Sequence, residues 1–336
     1  MKRVVVTGVV LLLVLFLLPV LLVDGPESAQ EETRPGILPA LPSPVPTVQP
    51  EQLFEPGEDE LTTLRVAMED GTVAEMTMAD YLWSVVAAEM PAAFEPEALK
   101  AQAITARTYT LWKMAVGDAD HPDADVCTDI TCCQAYITPE QAAANWGNST
   151  AVYKQKITSA VRSTNGQVIT YEGQPIQAVF FSSAAGRTED AVAVWGREVP
   201  YLVGVDSPEG EGIPNYETQV TLTAAEVKKL VLSQFPGADL SGSAKSWFQN
   251  RTLTASGRVD TMDIGGITMK GTQVRALFGL RSACFTVETA GDTVTFHVTG
   301  YGHGVGMSQY GANVLAKEGK TCEEILKWYY TGVKIG

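Results

Sequence analysis

Position 89 carries a carboxylate where a helix pattern asks for an apolar side chain. From Tyr81 onward, Leu82, Val85, Val86 and then Glu89 follow the i, i+3, i+4, i+7 spacing of a face that packs inward. Pro91 stops that helix, because it lacks a backbone N–H and disfavours helical geometry in Met90. Glu89 is thus expected in the last turn, facing a cleft. A carboxylate held against apolar surroundings loses hydration of its charged form, so its pKa rises toward the range of a general acid at neutral pH. The competing reading is an exposed last-turn glutamate, or one paired with a nearby arginine.

A second group suited to chemistry sits in one loop, where His121 is followed by Cys127, Cys132 and Cys133. One nitrogen and up to three sulfurs make the ligand set of a closed structural zinc site. The spacing fits no standard zinc finger, and a disulfide from Cys127 to Cys132 or Cys133 is the alternative. Five cysteines outside the cytoplasm cannot all pair, and Cys284 and Cys322 read as buried thiols or a second disulfide. A third candidate is His303, inside the glycine-flanked run from Gly300 to Gly304. Glycines there let a ligand approach the backbone, or simply supply the positive φ of a tight turn. The run misses the phosphate-loop spacing.

These residues need elements to hold them. Phe94-Glu95-Pro96-Glu97 opens a second helix, with proline early and acids at the positive end of the dipole, so Glu89 lies at a tight helix–turn–helix corner. Ahead of it, Leu64 to Met68 and Val73 to Met78 form a hairpin about Asp70-Gly71. After the cysteine loop a helix is expected from about Thr138 to Ser163, then a hairpin of Gln167 to Tyr171 with Ile176 to Ser182. Thr223 to Phe235, Thr272 to Phe278, Met307 to Lys317 and Cys322 to Tyr329 read as helices. Strands are expected at Arg251 to Thr254, Val259 to Ile264, Ile267 to Met269, Phe285 to Thr289 and Val294 to Val298. Helices and hairpins mix without a repeating βαβ unit, which predicts an α+β domain over 61–336, with a β-rich subdomain around 205–275.

The N-terminal part is different in kind. Residues 4–23 are an apolar run long enough for a bilayer of roughly 30 Å, preceded by Lys2 and Arg3, so a single-pass anchor is expected with residues 1–3 cytoplasmic and the rest outside. The alternative is a cleaved signal peptide, although no clear small-x-small site follows. Residues 24–60 are rich in proline and acid and read as an extended tether. The whole chain has net charge −15 and a pI near 4.7, which excludes nucleic acid as a partner that needs a basic face.

Three ordered motifs resemble the stage II sporulation protein D (SpoIID/LytB) family. They are Ala87-Ala88-Glu89-Met90-Pro91 running on through Arg107-Thr108-Tyr109, Phe181-Ser182-Ser183-Ala184-Ala185-Gly186-Arg187-Thr188-Glu189 with Trp195, and Gly300 through Ala312. The resemblance runs from roughly Leu61 to the C-terminus. It implies a membrane-anchored lytic transglycosylase that cleaves peptidoglycan glycan strands during engulfment in endospore formers, working with a SpoIIP-like amidase and a SpoIIM-like membrane protein. Glu89 falls on the family's catalytic glutamate, and His121, Cys127, Cys132 and Cys133 fall on its metal loop. The family more often has histidine where this chain has Cys132. With metal implied there, a structural zinc becomes the expectation over a disulfide, in which His121 has no role. A cleft that accepts sugar would take substrate contacts from Arg107, Ser183, Arg187, His303, Ser308 and Gln309; for Arg107, pairing with a carboxylate or capping a helix is the alternative. The LytB side of the family is described as activating an amidase without cutting glycan, the main rival function. A zinc hydrolase, the weaker rival, would need an open metal position.

Overall fold

A computed structural model describes residues 57–210 and 212–336. The expected cytoplasmic tail, bilayer span and most of the tether lie outside these residues. Among the described residues no helix is long and apolar enough to cross a membrane. The tether boundary needs correction: Glu58–Leu61 is a helix of the folded body, and its Asp59 is buried.

Among the described residues the domain is α+β, with five small sheets and two hydrophobic cores. The first core is built on two helices. Met78–Glu89 starts at Thr77, whose side chain accepts from the Asp80 N–H, and buries Tyr81, Leu82, Val85 and Val86. It ends where Met90, ahead of Pro91, turns extended at φ −123° and ψ 134°. Pro96–Val116 has proline in its first turn and buries most of its faces, Ala98, Ala101, Ala103 and Ala106 among them. These small side chains let the helices Met78–Glu89, Thr150–Ser163, Gln309–Lys317 and Cys322–Tyr329 all pack against it.

The expected helix over 138–163 is broken into Pro139–Trp146 and Thr150–Ser163, because Gly147 turns to φ 52°. The strand expected over 176–182 shrinks to Phe180–Phe181, which pairs in parallel with Met307–Ser308. That pairing brings the second and third family motifs together. Leu253 makes a lone bridge to Val259 instead of a strand.

The second core belongs to residues 217–299 rather than 205–275. Glu217–Thr223 pairs antiparallel with Thr293–Thr299, which pairs with Phe285–Ala290, so the sheet closes only when the last two strands are included. Val294, Phe296 and Val298 alternate inward against the helices Ala224–Gln234 and Gly271–Leu277. The two cores are joined by buried polar groups. Glu189 accepts from Thr254 Oγ1 at 2.6 Å and Ser256 Oγ at 2.5 Å, and Arg258 donates to the Arg187 carbonyl at 2.9 Å.

Candidate active site

The acid helix, the cysteine loop and the glycine-flanked loop meet at one cleft of about 600 Å³. Glu89 reaches it from the last turn of its helix, and Gln309 and His303 line it too. Glu89 Oε1 accepts the Ala135 backbone N–H at 2.7 Å. Gln309 Nε2 donates to the Glu89 carbonyl at 3.0 Å and lies 3.4 Å from Gln102 Oε1, fixing the C-terminal end of the acid helix. Burial raises the Glu89 carboxyl above its ordinary value, outweighing the Ala135 N–H and the Gln309 amide, which favour the charged form.

The glycine-flanked loop is both of the things its sequence allows, a positive-φ turn and a cleft wall. Gly302 has φ 116°, and a Cβ there would lie 2.7 Å from the Phe181 Cβ. His303 packs at 5.6 Å from the Phe181 ring. Its Nδ1 accepts the Val305 N–H at 3.1 Å, which leaves the ring proton on Nε2. Burial and, after it, the Arg275 cation push His303 down to about 4, so it is neutral at neutral pH.

Four other candidates stand away from the cleft lining. Arg107 is 1% exposed and forms a fork with Asp59, at 2.8 Å from Nε and 2.7 Å from Nη2, while Nη1 donates to the Gln167 carbonyl at 3.0 Å. It is a buried structural cation, so the sugar-contact expectation is withdrawn. Ser183 is buried in a backbone bridge to Tyr301. Arg187 turns to Asp206 at 2.7 Å and to the Gly204 carbonyl at 2.5 Å. Ser308 caps the helix Gln309–Lys317 by accepting the Gly311 N–H, and donates its hydroxyl to the buried Glu209.

His121, Cys127, Cys132 and Cys133 come together, with their ligand atoms all within 4.8 Å of one another. A tetrahedral zinc would space two sulfurs about 3.8 Å apart and a sulfur and nitrogen about 3.5 Å apart. Cys132 Sγ and Cys133 Sγ lie at 3.8 Å, and Cys133 Sγ and His121 Nε2 at 3.4 Å. His121 Nδ1 lies 3.2 Å from the Ala124 carbonyl, an arrangement that puts the proton on Nδ1 and leaves Nε2 free for metal. Burial pushes the Cys133 thiol up to about 11, against the Cys127 backbone N–H, which favours the thiolate, and Cys132 shifts in the same direction. A divalent cation would supply the charge that three thiolates need. The residues therefore fit zinc, and four protein donors fill a tetrahedral shell without an open position for water.

The loop also borders the cleft through Cys132 and Cys133, and its continuation provides Ala135. The chain is similar over 265 residues to stage II sporulation protein D of Bacillus subtilis (strain 168), at 42% identity, covering 79% of this chain and 76% of that protein. The chain belongs to the stage II sporulation protein D family. A family model described as "SpoIID: Stage II sporulation protein" matches residues 68–171, the span that holds Glu89 and the cysteine loop. The Bacillus amyloliquefaciens protein of the same name is 40% identical over 79% of this chain and 75% of its own length. A more distant relative, the amidase enhancer of Bacillus subtilis (strain 168), is 28% identical over 76% of this chain and 40% of its own.

Residue type alone did not single out Ala135, which acts through its backbone N–H; its place two residues after Cys133 was the available signal. Trp195, Tyr301 and Ile130 also line the cleft, and only Trp195 and Tyr301 fell within family motifs.

Proposed function

We propose that this member of the sporulation protein family is a lytic transglycosylase, cleaving the MurNAc–GlcNAc bond of peptidoglycan glycan strands with Glu89 as acid and then base. The reading rests on the acid–base inventory of the cleft. Glu89 is the one Asp or Glu among its described lining residues, and burial keeps its carboxyl protonated to higher pH than usual. A glycoside hydrolase ordinarily flanks the bond with two carboxylates, one to protonate and one to attack or to activate water. With one, the reaction completes if the sugar supplies the nucleophile. Glu89 donates its proton to the glycosidic oxygen as the C1–O bond breaks. The resulting carboxylate then takes the proton of the MurNAc C6 hydroxyl, whose oxygen bonds to C1. No water is consumed, the proton lent is returned, and the product is a 1,6-anhydro sugar.

Zinc held by His121, Cys127, Cys132 and Cys133 would serve as a crosslink in this reading, ordering the loop that delivers Ala135 to Glu89. The apolar run at 4–23 and the proline-rich segment behind it would hold the domain outside the cell membrane, within reach of the wall during engulfment. A SpoIIP-like amidase and a SpoIIM-like membrane protein are its proposed partners.

A second reading, a glycan-binding activator of an amidase that cuts nothing itself, is favoured by the name of the more distant relative. Purified glycan strands incubated with the chain alone distinguish the two by mass spectrometry. Anhydro-muropeptides from the native chain and none from Glu89→Gln support the transglycosylase. Reducing ends alone mean a hydrolase, and no products at all mean the activator.

A further inference from the structure

The wall of the cleft formed by the glycine-flanked loop carries a set of rings that the acid–base chemistry does not use. Trp195 ends the short helix Ala191–Trp195, which Gly196 closes in the left-handed region, and its ring lies 5.7 Å from the His303 ring at 47°. His303 in turn lies 5.6 Å from Phe181 at 52°. Tyr301, two residues before His303, has the Arg281 guanidinium over its ring at 4.7 Å from the centroid. All four rings line the same cleft as Glu89.

Their exposure divides them. Phe181 is buried, whereas Trp195 is 38% exposed and Tyr301 45% exposed. A single exposed ring is ordinary on a protein surface, but two open rings bordering one cleft make an apolar surface suited to a ligand. The lower two rings act as a support. His303 is held by its Nδ1 contact with the Val305 N–H, and Phe181 lies in the strand pair with Met307–Ser308. Arg281 fixes Tyr301 by covering its ring, an interaction that favours one orientation of the side chain. Aromatic faces held in place in this way contribute contact area at little entropic cost.

We propose that Trp195 and Tyr301 form a sugar-stacking platform, on which the apolar C–H faces of pyranose rings rest while Glu89 reaches the glycosidic oxygen between two of them. The assignment deepens the transglycosylase reading and rests on it for the identity of the sugar. Stacking supplies binding without polar specificity. It therefore holds successive units of a regular glycan and leaves recognition of substituents to the polar lining, Gln177 and Ser182 among it.

The test measures binding rather than turnover. In the full chain carrying Glu89→Gln, affinity for a peptide-free GlcNAc–MurNAc tetrasaccharide is measured by calorimetry, alone and combined with Trp195→Ala, Trp195→Phe, Tyr301→Ala or Val152→Ala. Val152 is exposed on the helix Thr150–Ser163 and is no part of the cleft lining. A lost stacking contact is expected to weaken binding about tenfold for Trp195→Ala, and about threefold for Tyr301→Ala. Trp195→Phe retains a ring and should stay within about twofold of its parent, as should Val152→Ala. Thermal unfolding of each variant checks the fold, and the Phe and Tyr301 variants keep the test decisive if Trp195→Ala unfolds. Unchanged affinity in both Trp195→Ala and Tyr301→Ala overturns the platform while leaving the transglycosylase reading in place. Tight binding that depends on both rings, in a native chain that releases no anhydro sugar, upholds the platform and removes the transglycosylase. A tetrasaccharide that does not bind Glu89→Gln at all overturns the platform, while the transglycosylase reading stands or falls on anhydro products from the native chain.

Discussion

Ser308 donates its hydroxyl to Glu209, and the next residue, Gln309, holds the helix end that carries Glu89, so one helix N-terminus serves two carboxylates. Their surroundings differ in how many donors they meet. Glu209 is buried and accepts from the Ala184 N–H at 2.5 Å, the Ser308 hydroxyl and the Ser207 hydroxyl, which also contacts Tyr329 at 2.8 Å. Glu89 opens on the cleft and has one backbone donor on its carboxylate, from Ala135. A charge that has lost water is stabilised by each donor that replaces it. Sealed and saturated, Glu209 clamps the loops of two motifs together. Glu89 keeps an oxygen free for a substrate and pays the desolvation that raises its pKa.

The largest effect should come from replacing each carboxylate in turn. Glu89→Gln keeps the volume and removes the transferable proton, so release of anhydro-muropeptides should fall by about 10³-fold or more, without a lower thermal midpoint. Glu209→Ala strands at least three buried donors and should lose on the order of 3 kcal/mol in denaturant titration, while its folded fraction still cleaves. Equal loss of stability in both variants would erase the distinction. So would cleavage surviving in Glu89→Gln.

Asp59 with Arg107 extends the comparison to a carboxylate neutralised by a cation. Removing one partner leaves the other charged and buried, so Arg107→Met should destabilise by about 3–5 kcal/mol, and Asp59→Leu combined with it should recover much of that loss. Cleavage per folded molecule should stay near the native level. A selective loss of cleavage at full stability would return Arg107 to the substrate site.

Glu89 was legible because its position is fixed by local periodicity and by Pro91, and the four metal candidates because they are neighbours in sequence. The hairpin Thr63–Ala67 with Val73–Thr77 was legible for the same reason, since its Asp-Gly turn is local. The other residues depend on pairings distant along the chain. Asp59 sits in the acidic run Glu58-Asp59-Glu60, which by composition belongs with the tether, and only its contact with Arg107, 48 residues away, reveals it. Arg107 and Ser308 looked like site residues because they lie in motifs, yet a motif preserves buried clamps and reacting groups alike. The strand Glu217–Thr223 has a burial pattern of half-buried and exposed residues, without the fully buried alternation that marks an inner strand. Its partner Thr293–Thr299 lies outside 205–275 and far along the chain, with no local signal to tie the two, so the subdomain was drawn too short.

The cysteine loop sharpens the comparison from the side of the single donor. If metal orders the loop that presents Ala135, a strong chelator should lower the thermal midpoint and slow cleavage by about tenfold together, and zinc should restore both. Hydrogen exchange gives a readout independent of activity, because the Ala135 amide, bonded to Glu89, should lose protection when metal is removed. Protection unchanged in metal-free protein would uncouple the loop from the acid.

The smallest effect follows from proton linkage and isolates the desolvation of Glu89. Its native pKa is raised above the ordinary 4.5, so between that value and the raised one the folded state binds more protons than the unfolded state. Stability then falls as pH rises through this window and stays reduced above it. Gln at position 89 carries no such proton. The thermal midpoint of Glu89→Gln should therefore match that of the native chain near pH 4, exceed it progressively as pH rises, and reach a constant gap once the native carboxyl has ionised. Asp118, held down to about 2 chiefly by its hydrogen bond with Lys113, contributes with the opposite sign, losing stability as pH falls, but does so in both proteins and cancels from the difference. Cleavage by the native chain should fall across the same alkaline side, because the acid that must protonate the glycosidic oxygen is by then a carboxylate. A gap that widened toward low pH instead would mean that Glu89 is stabilised as an anion, which is not the condition of an acid catalyst.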